Sequence, residues 1–298
     1  MHGHTRHPDP EEHQETRELI TSAFSLARSL GIKTLVVQAD EINDMRLVET
    51  LRDDERIIWV ARERKQLPVS DPSKDVVLAM PDASLNRLSQ LNLALFLAAL
   101  NRHLGPDERV LGLSGVTGSH RLDTLVIAKP ERDYPWLRHH KSEVAVTRHL
   151  ARLLEIALRF AREGREGSPI GTIFVLGDRS ILSAHVRQLI LNPLQGHPQA
   201  ARSIHNPDFL ETLRELAAMD GAFVVNRCGV VNSAGTYLNA PVGQGRLSPG
   251  LGARHAAALA ITTVTDVTAV VISASSGTVS VYDGGETVLE LERAQPGS

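Results

Sequence analysis

The sequence predicts an α/β protein, with an N-terminal, mostly parallel α/β domain followed by a mixed-sheet α/β domain. Three observations lead there. At 298 residues the chain is long enough for about two domains with sizeable cores. Its first half alternates helical and extended apolar patterns, as β-α units of a parallel sheet do. Its second half adds two hairpin-like pairs, "AFVVNRCGVVNSAG" and "GTVSVYDGGETVLELE", which bring antiparallel pairing into the sheet.

Taken in order, residues 1–14 read as a disordered leader, because "MHGHTRHPDPEEHQETRE" is polar and has no signal-peptide apolar stretch. Its histidines (His2, His4, His7, His13) could scavenge a metal, but nothing else in the segment resembles a closed metal site. Apolar spacing predicts a helix over 15–31 that stops at Gly31. The strand "KTLVVQAD", the helix "NDMRLVETLRD" and the strands "RIIWVARE" and "DVVLAMP" follow, then the helix "SLNRLSQLNLALFLAALNRHLG" and the strands "ERVLGLSG" and "DTLVIAKP". These make a first domain over 15–135. The prolines of "PERDYPWLRHH" (130–140) mark a boundary.

The second domain, 138–292, opens on a long helix over 142–164 with Leu150, Leu153, Leu154, Ala157, Leu158 and Ala161 on one stripe. The strand "GTIFVLGD" comes next, then a helix over "SAHVRQLIL", a Pro/Gly/His loop and a helix over "DFLETLRELAAMD". After the first hairpin comes a helix opened by "GLGARHAAALAIT" (250–262), then the strand "VTAVVISA". The final hairpin turns at Asp283-Gly284-Gly285, and the tail "RAQPGS" is expected to fray.

Composition excludes several classes of function. A formal charge of −3 argues against a broad nucleic-acid surface, which needs a basic excess. No apolar run reaches the roughly 20 residues of a membrane helix, so no membrane partner is expected. A single cysteine, Cys228, excludes an internal disulfide and a cysteine-rich zinc site, and a cytoplasmic location is expected. Cys228 falls in or near a hairpin turn. Neither it nor His139-His140 has a partner at metal-ligand spacing.

The second half carries the chemistry. From 221 to 280 the only cations among Lys and Arg are Arg227, Arg246 and Arg254, and the only carboxylate is Asp266. Within this sparsely charged stretch, Arg254 and His255 stand where a glycine-containing loop feeds a helix N-terminus. Such an end presents unsatisfied N–H groups and a positive dipole, Arg254 adds a planar donor fork, and His255 adds a donor that titrates near neutrality. No carboxylate close in sequence is available to Arg254. Just upstream, Asp220-Gly221-Ala222 lies between a helix end and a buried strand. An aspartate there can hold a divalent cation, accept a proton or simply cap a turn. Ser273 and the Ser275-Ser276-Gly277 turn follow another buried strand. In the first half, "GLSGVTGSH" (112–120) is glycine- and hydroxyl-rich and could receive an anion, but without the Gly-Lys-Ser/Thr ending of a P-loop it is expected to be a plain loop. The carboxylates of "QADEIND" (38–44) follow a strand and could mark a ligand edge or cap a helix.

The "DGA" at 220–222 and the "G-x-RH-x-A" at 252–257 resemble the two signature motifs of the diadenylate cyclases, the DisA N-terminal domain superfamily. The resemblance extends through "AREGREGSPIGTIFVLGD", "RQLILNPLQGHP" and "AGTYL" and so covers nearly all of the second half. The layout is similar to the archaeal-type class, and the front domain is similar, without a sharp motif, to the C-terminal domain of pyruvate kinase. The resemblance implies condensation of two ATP into cyclic di-AMP with release of two pyrophosphates, for second-messenger signalling. It implies a divalent metal (Mn²⁺ or Mg²⁺) and self-association of two molecules face to face. By the family pattern Asp220 binds the metal and helps activate the ribose 3′-hydroxyl. Gly221 and Ala222 admit the nucleotide, and Leu238 meets adenine through its main chain. Gly252, Ala253, Arg254 and His255 hold the phosphates, with Ser273 and Ser275 beside them.

The chain also departs from the pattern. Many bacterial members read Gly-Thr-Arg-His-Arg where this chain has Gly252-Ala253-Arg254-His255-Ala256, and many carry an acidic residue at Ser275. With Asp220, Arg254 and His255 all present, an active enzyme is expected. The rival reading is a silent nucleotide-binding or sensor protein that keeps the fold.

Overall fold

In a computed structural model the described residues are 10–42, 45–62, 67, 73–105, 107–133, 144–165, 170–241 and 252–294. They fall into two compact units, Met1–Leu137 with Ala294–Ser298, and Arg138–Arg293. Both are α/β.

The first unit runs α1 (Pro10–Leu30), β1 (Thr34–Gln38), α2 (Met45–Leu51), β2 (Arg56–Ala61), β3 (Val76–Ala79), α3 (Arg87–Leu100), β4 (Val110–Ser114), β5 (Thr124–Ala128) and α4 (Pro130–Asp133). Helix α1 begins at Pro10, so residues 10–14 are helical where a disordered leader was expected, and Gln14 bonds Glu18 one turn on. The rest of the leader, and 134–140 of the expected boundary, lie outside the described residues. The sheet order is β3-β2-β1-β4-β5, with β5 alone antiparallel. Alternation along the strands turns Leu35, Val37, Ile57, Trp59, Leu111 and Leu113 toward α1 and α2, in one buried cluster. Helix α3 is apolar almost all round and almost wholly buried, as such a helix must be.

One ion pair anchors this unit. Arg52 holds the fully buried Asp75 through two bonds, 2.6 and 2.9 Å, and Asp75 also accepts from the Ile57 N–H. Arg52→Ala leaves that carboxylate buried without its counter-ion and is expected to cost the unit about 3–5 kcal/mol. Urea unfolding checks this, and an unchanged midpoint would contradict it.

The glycine-rich loop and the acidic stretch of the first half meet each other. The side chain of Glu41 is fully buried and accepts from the Gly118 and His120 N–H groups, at 2.8 Å each, with Arg62 3.6 Å away. The anion the loop was suited to receive is therefore a carboxylate of the same unit.

The second unit runs α5 (Val144–Glu163), β6 (Thr172–Leu176), α6 (Arg179–Leu182), β7 (Val186–Gln188), α7 (Pro207–Leu216), β8 (Ala222–Val225), β9 (Val231–Leu238), α8 (Ala253–Val264), β10 (Thr268–Ile272), β11 (Val279–Asp283) and β12 (Glu286–Leu291). Its sheet order is β12-β11-β10-β6-β8-β9-β7; β6 and β8 are parallel and every other pair is antiparallel. The apolar stripe of α5 is buried throughout, and Phe160 continues into Phe174 and Phe223, whose rings stack at 5.1 Å. Helix α8 covers the other face through Ala258 and Ile261, packed on Ile173, Val175, Val224, Ala269 and Val271.

One predicted element is corrected. The helix expected over 183–191 is instead a short 3-10 turn and then β7, with Val186 paired to Leu238. Strand β9 is eight residues long and its outer edge would otherwise leave backbone groups unpaired. Satisfying them outweighs local helical spacing.

Beneath the β8–β9 turn, His149 of α5 and His205 share a hydrogen bond between Nδ1 and Nε2 at 2.9 Å. Burial, first, and then neighbouring positive charge push both rings below the usual histidine pKa. In the unfolded chain they titrate near about 6.5, so between the two values the unfolded state binds more protons. Their contribution to stability is complete above about pH 6.5 and is lost as pH falls toward the folded values. The unfolding midpoint is expected to drop between pH 7.5 and 5.5 less steeply in His149→Gln/His205→Gln than in the unsubstituted protein. Equal slopes would rule the pair out as the source.

Candidate active site

Strand register puts most of the candidate residues at one edge of the second sheet. Ile173 pairs with Ala222, Ala222 with Thr236, and Thr172 with Ile272. Gly171 and Asp220-Gly221 therefore precede β6 and β8 at the edge where β9 ends on Leu238 and β10 runs out to Ser273. Helix α8 starts at the same edge, since Arg254 reaches Asp220.

Asp220 is almost fully exposed, at 93% of its side chain, and its Oδ1 lies 3.6 Å from Arg254 Nη2. The carboxylate that Arg254 lacks nearby in sequence is thus supplied by the other motif. Gly221 has φ +101°, and a Cβ there would lie 2.7 Å from the Gly235 carbonyl carbon and the Thr236 nitrogen. Only glycine fits this turn into β8. Ala222 and Leu238 are buried strand residues. Gly252 is the N-cap of α8 in extended conformation with no side-chain cap, and Gly252 and Ala253 are exposed. Gly250 and Leu251 lie outside the described residues. His255 is half-buried, with Nδ1 2.9 Å from Tyr282 Oη and the two rings edge to face at 5.9 Å. Burial pushes its pKa below the usual value, against a smaller opposing effect of Glu290. Ser273 Oγ lies 3.1 Å from Ser275 Oγ in the turn after β10, and Ser275 is exposed. Cys228 is exposed in the β8–β9 turn, away from this edge.

Two residues here were not singled out in the sequence. Gly171 packs against the guanidinium, since a Cβ would lie 2.9 Å from Arg254 Nη1 and 2.6 Å from Ala274 Cβ. A glycine directly before a fully buried strand was its one signal. Tyr282 looked like an ordinary hairpin residue, and nothing in the sequence ties it to His255.

A metal fits this donor set in one way. Asp220 is the one carboxylate among the motif residues, and among the described residues no group of three or more His, Cys, Asp or Glu gathers to hold an ion. That suits Mg²⁺ or Mn²⁺ arriving with a nucleotide, which takes most ligands from phosphates and water and one from the protein.

A sequence of this kind has known counterparts. Residues 159–287 match the DAC family model, described as DisA bacterial checkpoint controller nucleotide-binding. The chain is 41% identical to the diadenylate cyclase of Methanocaldococcus jannaschii over 145 residues, 49% of this chain and 46% of that relative. It is 31% identical to the diadenylate cyclase of Haloferax volcanii over 175 residues, 57% of this chain and 63% of that relative. The matches thus span about half to under two thirds of the relatives' own lengths. Among solved structures, DacA from Staphylococcus aureus is 20% identical with a TM-score of 0.32, covering 50% of this chain and 87% of that one. A pyruvate kinase from Cryptosporidium parvum is 17% identical with a TM-score of 0.31, covering 38% of this chain and 22% of that one. Among the described residues no helix is long and apolar enough to cross a membrane. The DAC match covers both motifs, so the edge that joins Asp220 to Arg254 lies within it.

Proposed function

We propose that the protein is a diadenylate cyclase, converting two ATP into cyclic di-AMP and two pyrophosphates at a site shared by two face-to-face DAC domains. The observation that carries this reading is the Asp220–Arg254 pair, 3.6 Å apart at one exposed sheet edge, within the DAC match. A carboxylate and a guanidinium side by side at an open edge suit a nucleotide that lays its ribose against the one and its phosphates against the other. Asp220 accepts a hydrogen bond or proton from the ribose 3′-hydroxyl, and Gly221 leaves room for the nucleotide against the backbone. The Leu238 main chain meets adenine. Arg254, His255 and the uncapped N–H groups at Gly252 and Ala253 grip the phosphates, with Ser273 and Ser275 alongside. A bound Mg²⁺ or Mn²⁺ would be held by Asp220 and the phosphates and would neutralise charge on the latter. The rest is positioning, which supplies most of the rate in phosphoryl-type transfer.

In this reading dimerisation is part of the mechanism. Within one half-site the 3′-oxygen faces away from its own α-phosphorus, so it attacks the α-phosphorus of the nucleotide opposite, and pyrophosphate leaves. Second-messenger signalling, ATP as substrate and a cytoplasmic location follow from this reading. The two-domain division at 15–135 and 138–292 and the likeness of the front domain to the pyruvate kinase C-terminal domain belong to the same proposal.

Incubation of the full chain with ATP and Mn²⁺, followed by chromatography, tests it. Cyclic di-AMP and pyrophosphate in a one-to-two ratio are expected. No product at high protein concentration with several metals would overturn the reading and favour the silent nucleotide-binding alternative, for which Ala253, Ala256 and Ser275 are the motivating departures.

A further inference from the structure

We infer that Tyr282 is a positioning residue that holds His255 in the Nε2–H tautomer and aims that N–H at the nucleotide phosphates. The inference rests on the cyclase reading for its ligand, but its geometry stands alone.

Tyr282 sits on β11, 3% exposed, with its ring in the cluster under α8. Its Oη lies 2.9 Å from His255 Nδ1. A phenol has one proton to donate and two lone pairs to accept with, whereas a neutral imidazole has one N–H and one bare nitrogen. The direction of this bond therefore decides which nitrogen of His255 carries hydrogen. Elementary acid-base chemistry sets the direction. A phenol O–H is the more acidic donor and its oxygen is a weak acceptor, because its lone pairs delocalise into the ring, whereas the bare nitrogen of a neutral imidazole is a strong acceptor. The phenol therefore gives its proton to Nδ1. His255 must then carry its hydrogen on Nε2.

The other side of the ring is placed to use it. Nε2 has no hydrogen-bond partner among the described residues, and the adjoining Cδ2 edge is turned toward Gly252. A Cβ on that glycine would lie 3.8 Å from Cδ2. The free N–H thus stands beside the first turn of α8, next to Arg254. A tautomer left to chance would spend part of its time presenting a lone pair there, which repels a phosphate oxygen instead of binding it.

The test uses the full-length chain, with the imidazole nitrogens of ¹⁵N-histidine-labelled protein observed by NMR at pH 7.5 without nucleotide. His255→Gln assigns the signals. We expect a protonated Nε2 and a hydrogen-bonded, unprotonated Nδ1 at His255, and a mixture of tautomers in Tyr282→Phe. A protonated Nδ1 in the unsubstituted protein, or an unchanged tautomer in Tyr282→Phe, would overturn the inference whatever the activity. In the cyclase assay Tyr282→Phe is expected to lower kcat roughly tenfold with little change in KM for ATP. It should cost nothing further in a His255→Gln background. Additive losses would mean that Tyr282 acts by some route other than His255. If no variant and no parent makes product, the cyclase reading fails while the tautomer result still stands.

Discussion

On the proposed cyclase reading, Asp220→Asn is expected to abolish formation of cyclic di-AMP and to leave the fold intact. The side chain is 93% exposed and its ion pair to Arg254 spans 3.6 Å, so its loss removes little stability. Its chemical loss is large, because the amide is neutral and keeps almost the same shape. It can neither hold a divalent cation well nor take a proton from a 3′-hydroxyl. A drop in kcat of at least roughly a hundredfold is expected, the scale seen when one group that stabilises transition-state charge is removed. The measurement is product per minute at saturating ATP and Mn²⁺, beside a thermal melt of both proteins. Unchanged turnover would remove Asp220 from the site. A lowered melting point would mean that it caps the turn before β8 structurally, which was the plain alternative in the sequence.

Gly221→Ala is the largest stability effect expected in the second unit. Two costs add. The backbone at φ +101° is one that L side chains rarely adopt, and the new Cβ would meet β9 backbone atoms at 2.7 Å. Those atoms belong to the β8–β9 ladder, which cannot shift without breaking pairs on both sides. A loss of about 3 kcal/mol or more is expected, together with loss of activity. Gly196→Ala is the control. It too has positive φ, +87°, yet nothing lies within 4 Å of its Cβ position, so only the backbone term of roughly 1–2 kcal/mol applies. Equal destabilisation of the two variants in urea would show that the close approach of β9 contributes nothing.

How much of this site was legible before the fold is clear from particular residues. Asp220, Arg254 and His255 stood out because each was unusual for its place: an aspartate against a buried strand, and two polar groups at the head of an alanine-rich helix in a stretch nearly free of charge. The apolar stripe of α5 was read correctly because burial along one helix face has a period that sequence displays directly. The segment 183–191 was misread, because what recruits β7 is the open edge of β9, and an edge exists only once a sheet has formed. The glycine-rich loop at 112–120 read as a plain loop for want of a P-loop ending, yet its N–H groups do receive an anion, the Glu41 carboxylate just past the end of neighbouring β1.

By itself, then, the sequence determined the α/β class, the order of most strands and helices, and the residue types able to grip a nucleotide. Each of those depends on neighbours a few positions apart, where periodicity and turn chemistry act. Tertiary structure alone decided the partners: Arg254 with Asp220, Gly171 beneath the guanidinium, Tyr282 on His255, Glu41 in its loop. A hydrogen bond or ion pair needs two groups within about 3–4 Å, and strand register, not spacing along the chain, brings such groups together.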